Sequence, residues 1–304
     1  MKKSSLLAVL GILVCTAATS LAGPLLRYEF SQTGALQQST GSRQLDLTVL
    51  NYNNQAADYI TAAPVRRAGM STGNALNFTA ANVDGGLPPT NITKGAAQAS
   101  LGAPGGSNSF LQDDLGSFTI TAWVLNSAST HSDVVLRRLF SLRNAANQPI
   151  IELSLGTPKD ASSYSLSLSL TGAIKQNDIS STLSIPANNN TWFFVTVSYD
   201  ATTGQVVFYV GEEGGILKST SASNVVSGNT NTLLTNGSIF SIGNVAQQHQ
   251  RRYDGYLSDV SFYGSALSAQ EVGELHAIPE PTVSFLIGTG LLLAMHRSWK
   301  LSAR

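Results

Sequence analysis

From residue 23 to about residue 264 the apolar positions recur every second residue, not every three or four, which is the period of strands. Tyr164, Leu166, Leu168 and Leu170 alternate with Ser163, Ser165, Ser167 and Ser169, so this segment carries one apolar and one hydroxyl face. Phe118, Ile120, Ala122 and Val124 alternate with Thr119, Thr121 and Trp123, and Phe193, Val195, Val197 and Tyr199 share one face of a further strand. Residues 200–204 (Asp-Ala-Thr-Thr-Gly) form a turn, and 205–210 return as the hairpin partner. Shorter strands are predicted at 25–30, 75–78, 138–142, 150–155, 239–242 and 256–263, and the Gly-, Pro- and Asn-rich stretch 82–116 as a surface loop. One helix is expected: Ser268 and Glu271 make a capping box that opens Ala269–His276. Strand follows strand without intervening helices, so the chain predicts an all-β, two-sheet antiparallel sandwich over residues 23–277.

The two ends break this pattern. Met1-Lys2-Lys3, an apolar run over 6–14 and the small-x-small Ser20-Leu21-Ala22 predict a signal peptide over 1–22, with signal peptidase as a processing partner. The single cysteine, Cys15, lies inside it, so the mature chain has neither disulfide nor thiol chemistry. At the other end, Ile278-Pro279-Glu280-Pro281 is stiff and non-helical; residues 282–295 are apolar and uncharged; His296, Arg297, Lys300 and Arg304 close the chain. A helix over 282–295 covers about 21 Å of a roughly 30 Å hydrocarbon core, which suits transient insertion better than a permanent span. This order over 278–304 resembles the PEP-CTERM sorting signal of Gram-negative bacteria, with Pro279, Glu280 and Pro281 as its recognition residues. The resemblance implies cleavage by an exosortase-type enzyme, passage through the inner membrane, and release to the cell surface or an exopolysaccharide matrix. An ordinary membrane tail is the alternative.

Four pieces of the middle resemble one family. The strand Phe118-Thr119-Ile120-Thr121-Ala122-Trp123-Val124 resembles the FTISAWV strand of laminin-G-like, concanavalin A-like domains. Thr191-Trp192-Phe193-Phe194-Val195, running on through Tyr199-Asp200 to Tyr209-Val210-Gly211, resembles the family's hairpin. Phe240-Ser241-Ile242-Gly243 is similar to its l-x-I-G strand, and Asp254-Gly255-Tyr256 through Tyr263, followed by Ala266-Leu267-Ser268, to its ending. The resemblance implies a jelly-roll fold and a carbohydrate- or protein-binding role.

Composition narrows the chemistry. Charged residues are 12%, against about 25% in an average domain, and the formal net charge is +0, so a basic nucleic-acid binder is not indicated. With the basic residues of the two ends set aside, the remainder is net acidic. Glucanases on this sandwich carry paired carboxylates on one strand face as E-x-D-x-E, and no such motif is present. Glu152 stands alone in Ile150-Ile151-Glu152-Leu153-Ser154 and reads as an outward or edge charge. A non-catalytic surface or matrix protein is therefore the leading reading; a purely structural matrix component and a diverged glycoside hydrolase are the others. The densest polar, aromatic and cationic cluster is the loop ending in His249, Arg251, Arg252, Tyr253 and Asp254, where an aromatic ring stacks on a sugar face and Arg and His donate to its hydroxyls or anionic groups, as contact with exopolysaccharide or a surface glycan requires. The resemblance also implies structural calcium as the candidate cofactor, with Asp259 as candidate ligand. Gln38-Ser39-Thr40-Gly41 stands where the family has an acidic D-x-S-G, and Ser258 replaces the first Asp of D-D-V.

Overall fold

The structure, a computed structural model, describes residues 23–51, 55–79, 95–102, 109–112, 115–126, 136–156, 162–170, 177–187, 190–223, 237–244 and 253–277. Two eight-stranded antiparallel sheets face each other. In the first, the order is β14 (Leu217–Ser223), β13 (Gln205–Glu212), β12 (Phe193–Asp200), β7 (Phe118–Asn126), β16 (Gly255–Tyr263), β5 (Asn74–Asn77) and β4 (Ile60–Ala62), with β1 (Leu26–Tyr28) pairing the far half of β16. In the second it is β11 (Asn177–Pro186), β10 (Ser163–Leu170), β9 (Pro149–Gly156), β8 (Leu136–Asn144), β15 (Gly237–Ile242), β6 (Ala96–Ser100), β3 (Leu47–Leu50) and β2 (Leu36–Gln37). The all-β sandwich expected from the period-2 pattern is the observed fold.

The alternation decides which face is dry. Leu166, Leu168 and Leu170 of β10 meet Phe118, Ile120 and Val124 of β7 and Val195 and Val197 of β12 in one continuous core. An aromatic row crosses it: Tyr199 lies 5.4 Å from Phe118, Phe118 6.1 Å from Phe262, and Phe262 stacks at 5.8 Å on Phe140 of the opposite sheet. Such pairs contribute about 0.5–1.5 kcal/mol each beyond the area they bury.

The helix α1 (Ala269–His276) begins as expected, with the Ser268 and Glu271 capping box formed. It lies on the outer face of the first sheet and closes a second apolar cluster of Trp123, Trp192, Phe194, Tyr209, Tyr263, Leu267 and Val272. His276 stacks on Trp123 at 5.8 Å, and its Nε2 donates to the Glu212 carbonyl at 3.0 Å. Gly211 makes room for that ring: a Cβ there would stand 2.5 Å from His276 Nε2.

The predicted loop over 82–116 is corrected in part. Residues 96–100 are strand β6, and Ser109–Leu111 form a 3-10 turn. The sequence Ala-Ala-Gln-Ala-Ser lacks β-branched and aromatic residues, so nothing local marks a strand; pairing with β3 on one side and β15 on the other makes it one. The terminal segments 1–22 and 278–304 lie outside the described residues. Among the described residues, no helix is long and apolar enough to cross a membrane.

Candidate functional site

Of the loop singled out for glycan contact, His249, Arg251 and Arg252 lie outside the described residues, while Tyr253 and Asp254 turn inward. Tyr253 is fully buried in the core, its hydroxyl donating to Asn126 Oδ1 at 3.2 Å, and Asp254 is 2% exposed. The Tyr253 backbone N–H donates to the Gly243 carbonyl at 2.8 Å, which draws the end of the loop between the sheets as the chain enters β16. Burial pushes the Tyr253 phenol well above its ordinary range. Its ring is therefore not presented for stacking on a sugar. Arg137 joins the same interior end, with its guanidinium 4.6 Å over the ring of Tyr164.

Asp259 sits at a β-bulge of β16 with φ 54, a left-handed conformation that aims its carboxylate along the outer face of the first sheet. Arg27 Nε donates to Oδ1 at 2.7 Å and Arg67 Nη2 to Oδ2 at 3.2 Å. Arg67 is buried, lies 4.7 Å over the Trp123 ring, and donates to the Ala68 carbonyl. Burial lowers the Arg67 pKa against the pull of Asp259; at Arg27 burial acts the same way, but the bond and charge of Asp259 outweigh it and the pKa rises. Asp259 is the residue expected as a calcium ligand. Two guanidinium cations already occupy both oxygens of this carboxylate, which through them ties the 63–73 segment and β1 to β16. Ser39, in the segment that stands for the acidic loop, accepts from the backbone N–H of Arg27 and of Gly41, both at 3.2 Å. Among the described residues, no group of three or more His, Cys, Asp or Glu is placed to hold a metal ion.

Glu152 keeps the expected outward placement but not the exposure of an edge charge. It points away from the apolar core, is 1% exposed and is not a solvated charge. Arg138 Nε lies 2.8 Å and Arg143 Nη2 3.1 Å from its Oε2, and Arg138 Nη1 donates to Asn244 Oδ1 at 3.2 Å. Register places Glu152 in a polar row that crosses seven strands: Thr48, Gln98, Ser241, Ser141, Glu152, Ser169 and Asp178. The bulge at Leu139 shifts the β8 register so that Arg138 joins this face while Arg137 faces inward. That bulge has no sequence signature, so the ion cluster was hidden in the run Leu136-Arg137-Arg138-Leu139.

A cleft of about 270 Å³ opens where β11 of one sheet meets the β13–β14 hairpin of the other. Phe193 and Val210 form its floor, Ser184 and Glu212 its sides, and Ile216 and Lys218 its rim. Ile216 is 82% exposed, an uncovered apolar side chain. These residues come from three separate segments, so only folding assembles them. The one local hint is an isoleucine directly after the Gly214-Gly215 turn.

A model of the concanavalin A-like lectin/glucanases superfamily matches residues 97–273, from β6 to α1. The chain belongs to the concanavalin A-like lectin/glucanases superfamily. All four resembling pieces of the sequence fall within the match, and they form β7, the β12–β13 hairpin, β15, and β16 with α1. No curated protein matches the chain. Among solved structures, the enzymatically active domain of bacteriophage CBA120 tailspike protein 2 superposes with a TM-score of 0.51 at 10% identity, over 77% of this chain and 31% of that one. The botulinum neurotoxin serotype C1 binding domain gives 0.48 at 13%, over 84% and 51%. A SAP-like pentraxin from Limulus polyphemus gives 0.40 at 17%, over 55% and 74%. The chain thus spans about half of the toxin domain and about a third of the tailspike domain, and at 10% identity the tailspike superposition shows a shared fold alone. The superfamily holds both lectins and glucanases, so the chain's own residues must choose between binding and hydrolysis.

Proposed function

We propose that this sandwich is a non-catalytic binding module of an exported surface or matrix protein, and that it takes a glycan in the edge cleft. The cleft is the observation that carries this reading. An apolar floor and rim beside a lysine, a glutamate and a serine suit a sugar ring, which offers one apolar face and a girdle of hydroxyls. Glu152 supports binding over hydrolysis. A retaining pair needs two carboxyl groups about 5–5.5 Å apart, whereas the Glu152 carboxylate shares its site with two arginines.

The test is titration of acidic and neutral polysaccharides against the protein and two surface variants. Ile216→Asp is expected to weaken binding at least about tenfold, since burying an isoleucine contributes roughly 1.5–3 kcal/mol. Lys218→Glu should weaken acidic polymers selectively. Binding to no polymer, or binding that ignores both variants, would return the protein to a purely structural role.

Export belongs to the same proposal. The signal pattern over 1–22 and the Pro279-Glu280-Pro281 segment support it. Mass spectrometry of the surface-released protein should find Gly23 at the start and an end close to Pro281. An intact Arg304 would mark the tail as a plain anchor.

A further inference from the structure

The edges of the two sheets are guarded unequally. A strand edge presents backbone N–H and C=O groups that another chain can pair with, and proteins blunt it with short strands, bulges, charges or proline. Three of the four edges here carry such devices. β4 ends the first sheet with three residues, and β2 ends the second with two. β11, at the other side of the second sheet, has a bulge in its pairing with β10, Asp178 near its start and Pro186 at its end. β14 is different. Its seven residues, Leu217-Lys218-Ser219-Thr220-Ser221-Ala222-Ser223, pair with β13 in an unbroken register and carry no proline and a single charge. Among the described residues no strand pairs with its outer edge, and Lys218, Ser219 and Ser221 are exposed. The residue before it, Ile216, is apolar and 82% exposed, where a guarded edge would carry a charge.

The register with β13 fixes the two faces of β14. Lys218, Thr220 and Ala222 stand opposite the core residues Val210, Phe208 and Val206, so they face the second sheet, and the Thr182 hydroxyl of β11 donates to Thr220 Oγ1 at 3.3 Å. Ser219 and Ser221 face the other way. Thr220 is the middle residue, so an antiparallel pairing with the same strand of a second copy, about a twofold axis there, brings all seven residues into register. Ser219 then stands opposite Ser221 of the partner subunit, and Lys218 opposite the partner's Ala222. No like charges meet, because the two Lys218 positions are four residues apart along the paired strands, roughly 13 Å.

We propose that β14 is a self-association edge: two copies of this protein pair β14 with β14, antiparallel about Thr220, and join their first sheets into one continuous sheet. Main-chain hydrogen bonds supply the affinity, and the placement of the single lysine away from its own copy supplies the fit. This does not depend on the glycan reading.

The test measures the mass of the full-length chain in detergent by light scattering, with no glycan present. Ser219→Lys combined with Ser221→Lys sets like charges opposite each other twice across the proposed interface. Ser219→Lys combined with Ser221→Glu sets opposite charges there instead. Both pairs change exposed side chains, and circular dichroism checks that the sheets remain. The parent is expected to be a dimer at micromolar concentration. The first variant should need at least about tenfold more protein to dimerise, and the second should dimerise at least as well as the parent. A monomeric parent would overturn the proposal and leave the edge to a strand of a different chain or to none. A first variant that dimerises like the parent would overturn it by placing the contact elsewhere. A folded second variant as weak as the first would overturn the antiparallel register about Thr220.

Discussion

Glu152 and Arg138 meet at 2.8 Å with side chains 1% and 0% exposed, on a sheet face that the strand alternation marks as polar. Neither group retains its water, so the pair is stable only while it is complete, with Arg143 and Asn244 closing the cluster. Removing one member of a buried ion pair leaves the other without compensation and costs about 3–5 kcal/mol. Glu152→Ala is therefore expected to lower the urea midpoint by an amount in that range, while the surface change Lys218→Glu leaves it near the parent value. A Glu152→Ala protein as stable as the parent would mean that the cluster is solvated.

The period-2 pattern carried most of the fold. The strand Phe118–Asn126, the hairpin around residues 200–204 and the helix Ala269–His276 with its cap were all readable, because each rests on local chemistry: alternation, an Asp-to-Gly turn, a Ser and a Glu three residues apart. The strand Ala96–Ser100 was not, because its partners supply what its own side chains lack. The candidate site was much less legible. Tyr253 lies in a polar stretch and has the composition of a contact residue, yet a backbone bond to Gly243 draws it into the core. Asp259 fits a metal-ligand pattern, but the two cations that hold its oxygens, Arg27 and Arg67, are distant in sequence. The cleft is a product of tertiary assembly alone.

The pairing of Asp259 with two arginines is testable. Millimolar calcium is expected to leave the melting temperature unchanged, because a ligand that binds the native state would raise it. Asp259→Ala should destabilise by about 2–4 kcal/mol, since it leaves the buried Arg67 without its carboxylate. A calcium-dependent rise in melting temperature that disappears in Asp259→Asn would restore the metal reading.

Gly243 has φ 79, and a Cβ there would stand 1.9 Å from Phe78 Cε2. Gly243→Ala combines a left-handed backbone with overpacking and is expected to cost on the order of 3 kcal/mol. Thermal denaturation of the variant measures it; a loss under about 1 kcal/mol would show that Phe78 moves aside freely.

Burial also sets the alkaline limit. Tyr199 and Tyr263 are pushed up to about 12, Tyr28 higher still, and Tyr253 well above its ordinary range, each mainly by burial. The unfolded chain ionises near pH 10, so between about pH 10 and 12 the unfolded state holds fewer protons and stability falls as pH rises. The contribution is complete below pH 10 and lost through pH 12. Tyrosinate absorbance should therefore lag behind free tyrosine and rise together with loss of the β-sheet circular dichroism signal. Full ionisation near pH 10 with the sheets intact would contradict the burial.

The most direct test of a binding role is one incubation with two readouts. A polysaccharide that the protein binds is followed for retention on the protein and for release of new reducing ends. Saturable binding that Ile216→Asp weakens at least about tenfold, with no reducing ends above the protein-free control, is the expected result. Steady release of reducing ends, abolished by Glu152→Gln in protein that still binds, would contradict it and make this chain a hydrolase.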